Sequence, residues 1–543
     1  MKFIDDLLMY GRFARGLRRY LQSPLSMAEA RTIIRLRMDE RESNFLRLVE
    51  RGVFGYPRSP FLPLFKLAGC AIGDLRDMVR SKGLEKTLRE LQRAGVYVTF
   101  EEFKGKTPIV RKGVTLPVKA HDFDNPFLSH YYSAETGGST GAGTRINIDL
   151  DHLAADTPFN MLALDAHGVL DAPKAIWRGV LPDPSGLNYI LRGAKMARVP
   201  KKWFTPIARR DYKPILKYRL ATAAIVYAGK PFGIPIPHPE PVTFEEAGVI
   251  VAWMVEQIRR SGSCLLFCLV STALRVAVAA KEIGADLTGA TFEVGGEPPT
   301  EAKVRAITAT GARCYPTYHF GECGRVGMGC ARPRDCNDVH FFKDGLALID
   351  YSRQVPGFDI NVDAFCFTSL LPTTPKIMLN VELDDYGVIE TRSCGCPLEA
   401  YGYTEHIREI RSFRKLTGEG VTLVGSEMIS ILEELLPSRF GGSPLDYQLL
   451  EEEDEHGFTK LSLVVSPRLH IPDEGAVIDT VLNALGPNAV EDSLTRVTWR
   501  KAGIFRVKRM EPIRTARGKL MPLHLIRRSV AEQDASRASL VSH

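Results

Sequence analysis

Apolar residues recur at three- and four-residue spacings in two segments near the start of the chain, residues 26–49 and 73–94. This spacing places apolar side chains on one face of a helix, so both segments are predicted to be helical and to pack on a core. Gly95 follows the second segment, at a position where helices commonly end. Residues 96–100 are then predicted to form a short strand.

Between residues 110 and 400, strand-like stretches alternate with helix-like ones. A continuous apolar run of strand length spans residues 264–270, and a helical pattern follows it. Residues 291–294 and 300–310 repeat that order. Strands that alternate with helices are typical of an α/β fold, in which the helices cross over between neighbouring strands of one sheet.

The last part of the chain is predicted to be a smaller α+β unit, with a boundary near the polar and glycine-containing stretch 413–420. We therefore expect an α/β protein of three regions. An N-terminal helical region (1–95) packs on a large domain (96–413), and a small, mobile domain (414–543) follows.

The composition is that of a globular protein with a large core, because 45% of the residues are hydrophobic and 25% are charged. The net charge of +7, from 71 basic and 64 acidic residues, is small for this length. It is compatible with anionic ligands such as nucleotides. We expect no nucleic-acid binding, because the chain has no basic tract with interleaved aromatic residues.

No apolar run reaches the roughly 18 residues that a membrane-spanning helix needs. Acidic residues interrupt the start of the chain, where a signal peptide would be apolar. We therefore expect a cytoplasmic protein. Residues 1–21 can form a basic amphipathic helix that makes peripheral contact with a membrane. A helix that packs on the body and exposes its basic face is the alternative that we favour.

A loop of small and hydroxyl-bearing residues, SAETGGSTGAGT, spans positions 133–144. Small side chains let backbone N–H groups and hydroxyls approach phosphate oxygens closely. The loop is not a Walker loop, because it lacks the Gly-Lys-Ser/Thr ending. It is a candidate phosphate-binding loop, and a flexible surface loop is the alternative.

Three further motifs follow along the chain. Residues 292–300, FEVGGEPPT, end a strand with two glycines, a common position for a ligand. In residues 315–324, YPTYHFGECG, Tyr318 offers an aromatic ring for a base and Glu322 a carboxylate for Mg²⁺. Residues 511–519, EPIRTARGK, place a lysine directly after a glycine. Taken alone, each has an ordinary explanation as a turn, a core tyrosine with a surface glutamate, or a basic tail.

Together, the four motifs occur in the order and at roughly the separations found in the acyl-adenylate-forming superfamily of acyl-CoA synthetases, luciferases and peptide-synthetase adenylation domains. The chain most closely resembles the phenylacetate-CoA ligase branch, from about residue 95 to 520. The resemblance implies an ATP-dependent, AMP-forming ligase. Its large α/β domain would bind ATP and the acid, and its small C-terminal domain would move.

The resemblance also implies roles for individual residues. The nucleotide-binding residues would be Gly137, Gly138, Ser139, Thr140, Gly141, Gly296, Glu297, Pro298, Tyr318, Glu322, Asp385 and Lys519. Tyr318 would stack on the adenine and Asp385 would bind the ribose. Thr140, the Mg²⁺ ligand Glu322 and Lys519 would be the catalytic residues.

The sequence departs from the family pattern in three places. Ala142 and Gly143 stand where the phosphate loop usually continues with Lys-Pro, which removes one cation from the phosphates. His319 replaces a glycine. In the hinge region, residues 415–425, Glu419 stands where an aspartate is expected. Separately, Asp384 is the alternative to Asp385 as the ribose ligand.

Ten cysteines in a chain without a leader indicate free thiols or a metal site rather than disulfides. Thiolates with one imidazole suit tetrahedral Zn²⁺. The expected ligands are Cys330, His340, Cys394 and Cys396, with Cys336 as the substitute, and members of the branch carry a similar set. Four protein ligands would make the site structural. Unliganded thiols are the alternative.

The expected reaction activates an aryl or fatty acid, because the stretch that would line its pocket, around residues 267–272 and Gly295, is mainly apolar. The acyl group would then pass to coenzyme A, with an amine or a carrier protein as alternative acceptors. A catalytically inactive zinc- and nucleotide-binding relative is a further alternative. Retention of Glu322, Asp385 and Lys519 together argues against it.

Overall fold

The computed structural model describes residues 2–135, 145–181, 183–206, 216–296, 299, 301–354, 361–412, 415–418, 421–424, 431–442, 446–453, 459–484, 505–513 and 523–525. These residues form two compact units, which divide between Lys415 and Leu416. No described helix is long and apolar enough to cross a membrane.

The large unit contains most of the described helices and strands. Its helices are α1 (Lys2–Gln22), α2 (Met27–Asp39), α3 (Arg41–Val49), α4 (Phe61–Ala68), α5 (Ile72–Lys82), α6 (Leu84–Arg93), α7 (Phe100–Phe103), α8 (Leu150–Ala166), α9 (Ser185–Lys195), α10 (Leu216–Ala228), α11 (Ala247–Ser261), α12 (Val270–Glu282) and α13 (Glu301–Thr308). Its strands are β1 (Ile109–Arg111), β2 (Val114–Leu116), β3 (Tyr131–Glu135), β4 (Arg145–Asp149), β5 (Lys174–Trp177), β6 (Lys202–Thr205), β7 (Pro239–Pro241), β8 (Cys264–Leu269), β9 (Ala290–Gly295), β10 (Arg313–Phe320), β11 (Gly324–Gly329), β12 (Val339–Phe341), β13 (Leu346–Gln354), β14 (Asn361–Ser369), β15 (Val381–Thr391) and β16 (Glu405–Ser412). Short π or 3-10 helices span Glu50–Phe54, Ala120–Phe123, Lys230–Phe232, Phe244–Glu246 and Pro397–Tyr401.

Twelve of these strands form one sheet in the order β13-β14-β15-β16-β12-β11-β10-β9-β8-β5-β6-β7. Neighbouring strands are parallel from β10 to β7 and antiparallel from β13 to β10. Strand β8 is buried along almost its whole length, as expected for a parallel strand with both faces covered. The α/β fold class is thus confirmed.

The antiparallel part of the sheet curls strongly. Strands β10 and β15 are four positions apart, which in a flat sheet would separate them by about 19 Å. Tyr318 on β10 nevertheless lies within hydrogen-bonding distance of Asp385 on β15. The ring of Phe320, also on β10, lies 5.1 Å from that of Phe367 on β14. The curl therefore brings β10 to face β14 and β15.

The N-terminal helices follow the periodic pattern but are shorter than the segments that the sequence predicts. The segment 26–49 divides into α2 and α3, and the segment 73–94 divides into α5 and α6 at Gly83, whose φ is +82°. The strand predicted at residues 96–100 is wrong. Only Val98 forms a bridge there, and α7 begins at Phe100 because the Thr99 N–H donates to the Glu102 carboxylate at 2.8 Å.

Helix α1 packs its apolar face on the β3–β4 hairpin. Its buried side chains are Phe13, Leu17, Tyr20 and Leu21, and its exposed arginines are Arg12, Arg15, Arg18 and Arg19. The Tyr20 hydroxyl donates to the Leu191 carbonyl oxygen of α9 at 3.0 Å. The apolar face of α1 is therefore covered by this unit, and its basic face is exposed.

The small unit is α+β. Its strands are β17 (Lys415–Gly418), β18 (Val421–Val424), β19 (Tyr447–Glu453), β20 (Thr459–Val465), β21 (Phe505–Arg509) and β22 (Leu523–Leu525), and its helices are α14 (Leu436–Phe440) and α15 (Glu474–Ala484), with a π-helical turn at Ile431–Leu435. Four strands form a sheet in the order β21-β20-β19-β22, with an antiparallel central pair. Helix α15 buries Val477 and Val481.

Candidate functional site

Tyr318 and Asp385 meet across the curl of the large sheet. The Tyr318 hydroxyl donates to Asp385 Oδ2 at 2.7 Å. Burial raises the pKa of Tyr318 well above its usual range, and the charge of Asp385 raises it further. The phenol therefore stays protonated and remains a hydrogen-bond donor to the carboxylate.

The ring of Tyr318 is held by aromatic neighbours. Its centroid lies 5.9 Å from that of Phe320 and 6.3 Å from that of Phe367, and both contacts are edge-on. Edge-to-face contacts of this kind stabilise a fixed ring orientation. The hydroxyl and the ring plane of Tyr318 are thus both restrained.

Asp384 and Asp385 differ in position although they are adjacent. Asp384 is fully buried and has a φ of +74°, which is unusual for a residue with a side chain. Asp385 is slightly exposed and accepts the Tyr318 hydrogen bond. The structure therefore brings Asp385, rather than Asp384, to the expected adenine-stacking tyrosine.

Glu322 lies in the turn between β10 and β11 and is buried. Its Oε1 forms an ion pair with the ammonium group of Lys104, which follows α7. A buried carboxylate needs a cation or several donors to remain charged. Sequence analysis did not identify Lys104, because the two residues are 218 positions apart and the chain carries no signal of their contact.

Gly296 follows β9 at the turn that the sequence marks as a ligand position. Its φ is +83°, and a Cβ there would lie 2.9 Å from Leu269 Cδ2. Only glycine fits this turn without strain. The next two expected site residues, Glu297 and Pro298, lie outside the described residues.

The expected phosphate loop and catalytic lysine also lie outside the described residues, namely Gly137, Gly138, Ser139, Thr140, Gly141 and Lys519. Strands β3 and β4, which flank the loop, pair in antiparallel register from Tyr131 with Asp149 to Glu135 with Arg145. The two ends of the loop are therefore close together.

A second cluster contains cysteine and histidine side chains. The ligand atoms of Cys330, His340, Cys394 and His406 all lie within 4.8 Å of one another. Sequence analysis predicted the first three of these residues and missed His406. His406 is placed by the pairing of β12 with β16, in which it stands directly opposite His340. That register is not visible in the sequence.

Both histidines are oriented by partners outside the cluster. His340 Nδ1 lies 2.9 Å from the Tyr403 carbonyl oxygen, and His406 Nδ1 lies 2.7 Å from Asp338 Oδ1. Because these oxygens only accept, each Nδ1 carries the proton and each Nε2 keeps a lone pair. His340 Nε2 lies 3.8 Å from Cys394 Sγ. This arrangement is typical of metal-binding histidines.

The sulfurs also accept backbone hydrogen bonds. The Arg332 N–H donates to Cys330 Sγ and the Cys396 N–H donates to Cys394 Sγ, each at 3.3 Å. Such donors stabilise thiolates, the form that binds metals. Gly395, with a φ of +69°, turns the chain between the two cysteines.

Cys396 adjoins the same cluster. The Cys330 thiol and His340 lie beside Cys396, and the hydrogen bond from the thiol lowers the pKa of Cys396. The predicted substitute, Cys336, bonds elsewhere, since its Sγ donates to the Pro299 carbonyl oxygen at 3.4 Å. Four ligand atoms therefore lie together, with Cys396 beside two of the residues, and a tetrahedral Zn²⁺ site has ligand separations of about 3.3–3.8 Å. The donor types fit such an ion, and ligand atoms up to 4.8 Å apart would have to move closer together to bind it.

The sequence matches no protein-family model and no curated protein. The fold matches that of a 2-hydroxyisobutyryl-CoA ligase in complex with 2-HIB-AMP and CoA in the thioesterification state, with a TM-score of 0.52 and 14% identity over 95% of this chain and 94% of that chain. Other similar structures are the amide bond synthetase Mcba from Marinactinospora thermotolerans (TM-score 0.40, 12% identity, 97% and 99% of the two chains) and McyG A-PCP with phenylalanyl-adenylate (0.34, 11%, 87% and 75%). The chain thus has the fold of this 2-hydroxyisobutyryl-CoA ligase.

Proposed function

We propose that this protein activates a carboxylic acid with Mg-ATP to give an acyl-AMP and pyrophosphate, and then transfers the acyl group to the thiol of coenzyme A. The proposal rests on the contact between Tyr318 and Asp385 in a protein whose fold resembles that of acyl-adenylate-forming enzymes. An aromatic ring and a carboxylate held together suit the base and the ribose hydroxyls of one nucleoside. Glu322, in the turn after the tyrosine strand, would then serve the phosphates.

In the first half-reaction, a carboxylate oxygen of the acid attacks the α-phosphorus of ATP. A new P–O bond forms, the bond from the α-phosphorus to the bridging oxygen breaks, and pyrophosphate leaves. Glu322 would hold Mg²⁺, which neutralises phosphate charge when it is bound. Lys519 and the Thr140 loop, assigned from the sequence motifs, would stabilise the remaining charge.

In the second half-reaction, the acceptor attacks the acyl carbonyl carbon and AMP leaves. Coenzyme A is the acceptor that we propose, in an acid-thiol ligase. An amine or a carrier-protein thiol would use the same first half-reaction. The apolar strand β8 favours an acid with an aryl or aliphatic body, since most of its side chains are apolar.

We also propose a structural zinc site. Cys330, His340 and Cys394 would each supply one ligand, and Cys396 or His406 the fourth. Cys330 directly follows β11, and Cys394 lies three residues after β15. A bound ion would therefore tie together the ends of the two strands that begin beside Glu322 and carry Asp385.

The decisive experiment is ATP–pyrophosphate exchange with the full-length protein, Mg²⁺ and a panel of aryl, aliphatic and dicarboxylic acids. Acid-dependent exchange that falls at least 100-fold in Asp385→Asn, and is unchanged in the exposed control Asp363→Asn, supports the proposal. ATP binding without exchange for any acid would instead support the inactive relative. Adding coenzyme A, an amine or a carrier protein then identifies the acceptor.

A further inference from the structure

Arg178 lies at the carboxyl end of strand β5, next to the parallel part of the large sheet. Its backbone N–H donates to the Phe204 carbonyl oxygen of β6 at 3.1 Å, and its Nε donates to Ser185 Oγ at 3.1 Å. Ligands of open α/β sheets bind at the carboxyl ends of the strands. The side chain is therefore both anchored and located where a substrate would bind.

The guanidinium group reaches across the ends of the next two strands. Its Nη1 lies 3.3 Å from the position that a Cβ on Gly296 would take. Its Cζ lies 5.4 Å from the ring centroid of Phe267, which stacks on Tyr189 at 4.3 Å with an interplanar angle of 8°. Nη1 is buried and has no hydrogen-bond partner among the described residues. A buried guanidinium nitrogen without a partner is costly unless a ligand satisfies it.

Other hydrogen-bonding groups share this edge of the sheet. The hydroxyls of Thr205, at the end of β6, and of Thr317, on β10, are buried and also lack a partner within the described part of the chain. His319 Cε1 lies 3.3 Å from the position of a Cβ on Gly295. The row of strand ends from β6 to β10 thus carries several groups that can bind a polar substituent.

The charged groups around Arg178 carry a net positive charge. The buried carboxylates nearby already have partners: Asp156 accepts from Arg192 at 2.8 Å, and Glu293 lies 3.6 Å from Arg325. No described carboxylate forms an ion pair with Arg178. Burial lowers the pKa of His319 well below its usual range, and the charges of Arg178, Arg325 and Arg192 lower it further. A positive field of this kind attracts an anion.

Arg178, Phe267 and Thr205 lie on or directly after β5, β8 and β6, on the opposite side of β9 from Tyr318 and Asp385, and Gly296 lies beside Arg178. Strand β5 is three positions from β10, which carries Tyr318, and the curl places Asp385 beyond β10. Phe267, whose buried ring stacks on that of Tyr189, lies beside the Arg178 guanidinium. A substrate there would have an apolar body and, at its far end, a group that accepts hydrogen bonds from a guanidinium.

We propose that the acid substrate carries a second carboxylate, separated from the reacting one by an apolar aryl or aliphatic body, and that Arg178 binds this second carboxylate. The inference rests on the proposed function and narrows its substrate class. A guanidinium offers two parallel N–H donors to a carboxylate, which gives both affinity and direction. Arg178 is then the residue that selects dicarboxylic over monocarboxylic acids.

The test compares pairs of acids that differ only in the second carboxylate, such as hexanoate with adipate and benzoate with terephthalate, by ATP–pyrophosphate exchange. We expect the wild-type protein to prefer the dicarboxylic member of at least one pair by about 10- to 100-fold in kcat/KM. Arg178→Gln should remove that preference and retain exchange with the monocarboxylic acid, and Arg178→Lys should restore part of it. Arg259→Gln, an exposed arginine on α11, is the matched control.

Equal losses with both members of each pair in Arg178→Gln would overturn the inference, because Arg178 would then act on the reacting carboxylate or the α-phosphate. A wild-type preference for every monocarboxylic acid would also overturn it. Both outcomes leave the proposed function intact. If no acid supports exchange, the proposed function fails, and calorimetric binding of the same acids then tests the role of Arg178. Dicarboxylate binding that Arg178→Gln abolishes supports the inference. Equal dicarboxylate binding by the wild type and Arg178→Gln overturns it.

Discussion

The hydroxyl of Tyr318 donates to the carboxylate of Asp385 at 2.7 Å, although the two residues lie on strands that are not neighbours in the sheet. The contact fixes the distance between an aromatic ring and a carboxylate. A nucleoside offers a base to the first and ribose hydroxyls to the second. The pair therefore defines both the position and the orientation of the proposed nucleotide.

Tyr318→Phe keeps the ring and removes the hydrogen bond. We expect the dissociation constant for ATP, measured by calorimetry, to rise about 10-fold, since a hydrogen bond to a charged group contributes about 1.5–3 kcal/mol. Asp385→Asn should weaken binding as well, and the double variant should lose less than the sum of the single effects. Tyr227→Phe, on an exposed side chain, is the control. Unchanged ATP affinity in Tyr318→Phe would argue against this nucleotide position.

Lys104→Met removes the cation that pairs with Glu322. The two side chains are only 17% and 6% exposed, so we expect the free energy of unfolding to fall by about 2–4 kcal/mol. If Glu322 binds Mg²⁺, the ion should restore more stability to this variant than to the wild type, because it no longer competes with an ammonium group. Urea unfolding with and without Mg²⁺ measures both effects. The same Mg²⁺ response in Lys104→Met and in Lys104→Met/Glu322→Gln would contradict this role of Glu322.

Zinc analysis tests the cysteine and histidine cluster. We expect about one zinc ion per chain in the purified protein, and its loss in Cys330→Ser and in Cys394→Ser. Cys70→Ser, which changes a half-exposed free thiol elsewhere, should keep the ion. Comparison of Cys396→Ser with His406→Ala identifies the fourth ligand. Metal-free protein that melts at the same temperature as the metal-loaded form would rule out a structural ion.

Acidification should destabilise the large unit through His319. The pKa of His319 is lower in the folded protein than in the unfolded protein, where it is near 6.5. Its contribution to the stability of the folded state is therefore complete above pH 6.5 and is lost as the pH falls below that value. We expect unfolding free energy to decrease by up to about 1.4 kcal/mol per pH unit from this group below pH 6.5. His319→Gln should flatten the dependence between pH 6.5 and 5. Urea unfolding followed by tryptophan fluorescence measures the slope, and equal slopes would show that His319 is not the titrating group.

Regular periodic segments of the sequence led to the correct fold class. The apolar run at residues 264–270 became β8 and the start of α12, because a strand covered on both faces must be apolar throughout. The failure at residues 96–100 has a local cause. The Thr99–Glu102 capping box starts a helix there, and this signal outweighs the β-branched residues before it.

Some residues of the candidate site could likewise be predicted from the sequence, and others could not. Tyr318, Glu322, Cys330, His340 and Cys394 belong to short motifs and could be proposed as site residues from the sequence. Lys104, which pairs with Glu322, and His406, which stands opposite His340, could not, because the sequence carries no signal of these contacts. The position of His406 depends on the register of β12 and β16, which the sequence does not show.

The curl also constrains the order in which the molecule can be assembled during synthesis. The parallel strands β5 to β10 are complete once residue 320 has been made, whereas Tyr318 has no Asp385 to bind until the ribosome has passed residue 385. Cys394 and His406 arrive later still, and with them the cluster closes. Because chains fold from the N-terminus as they emerge, the end of the sheet that holds the Tyr318–Asp385 pair is the last to form. A metal ion that binds at that stage would stabilise a sheet that has already curled.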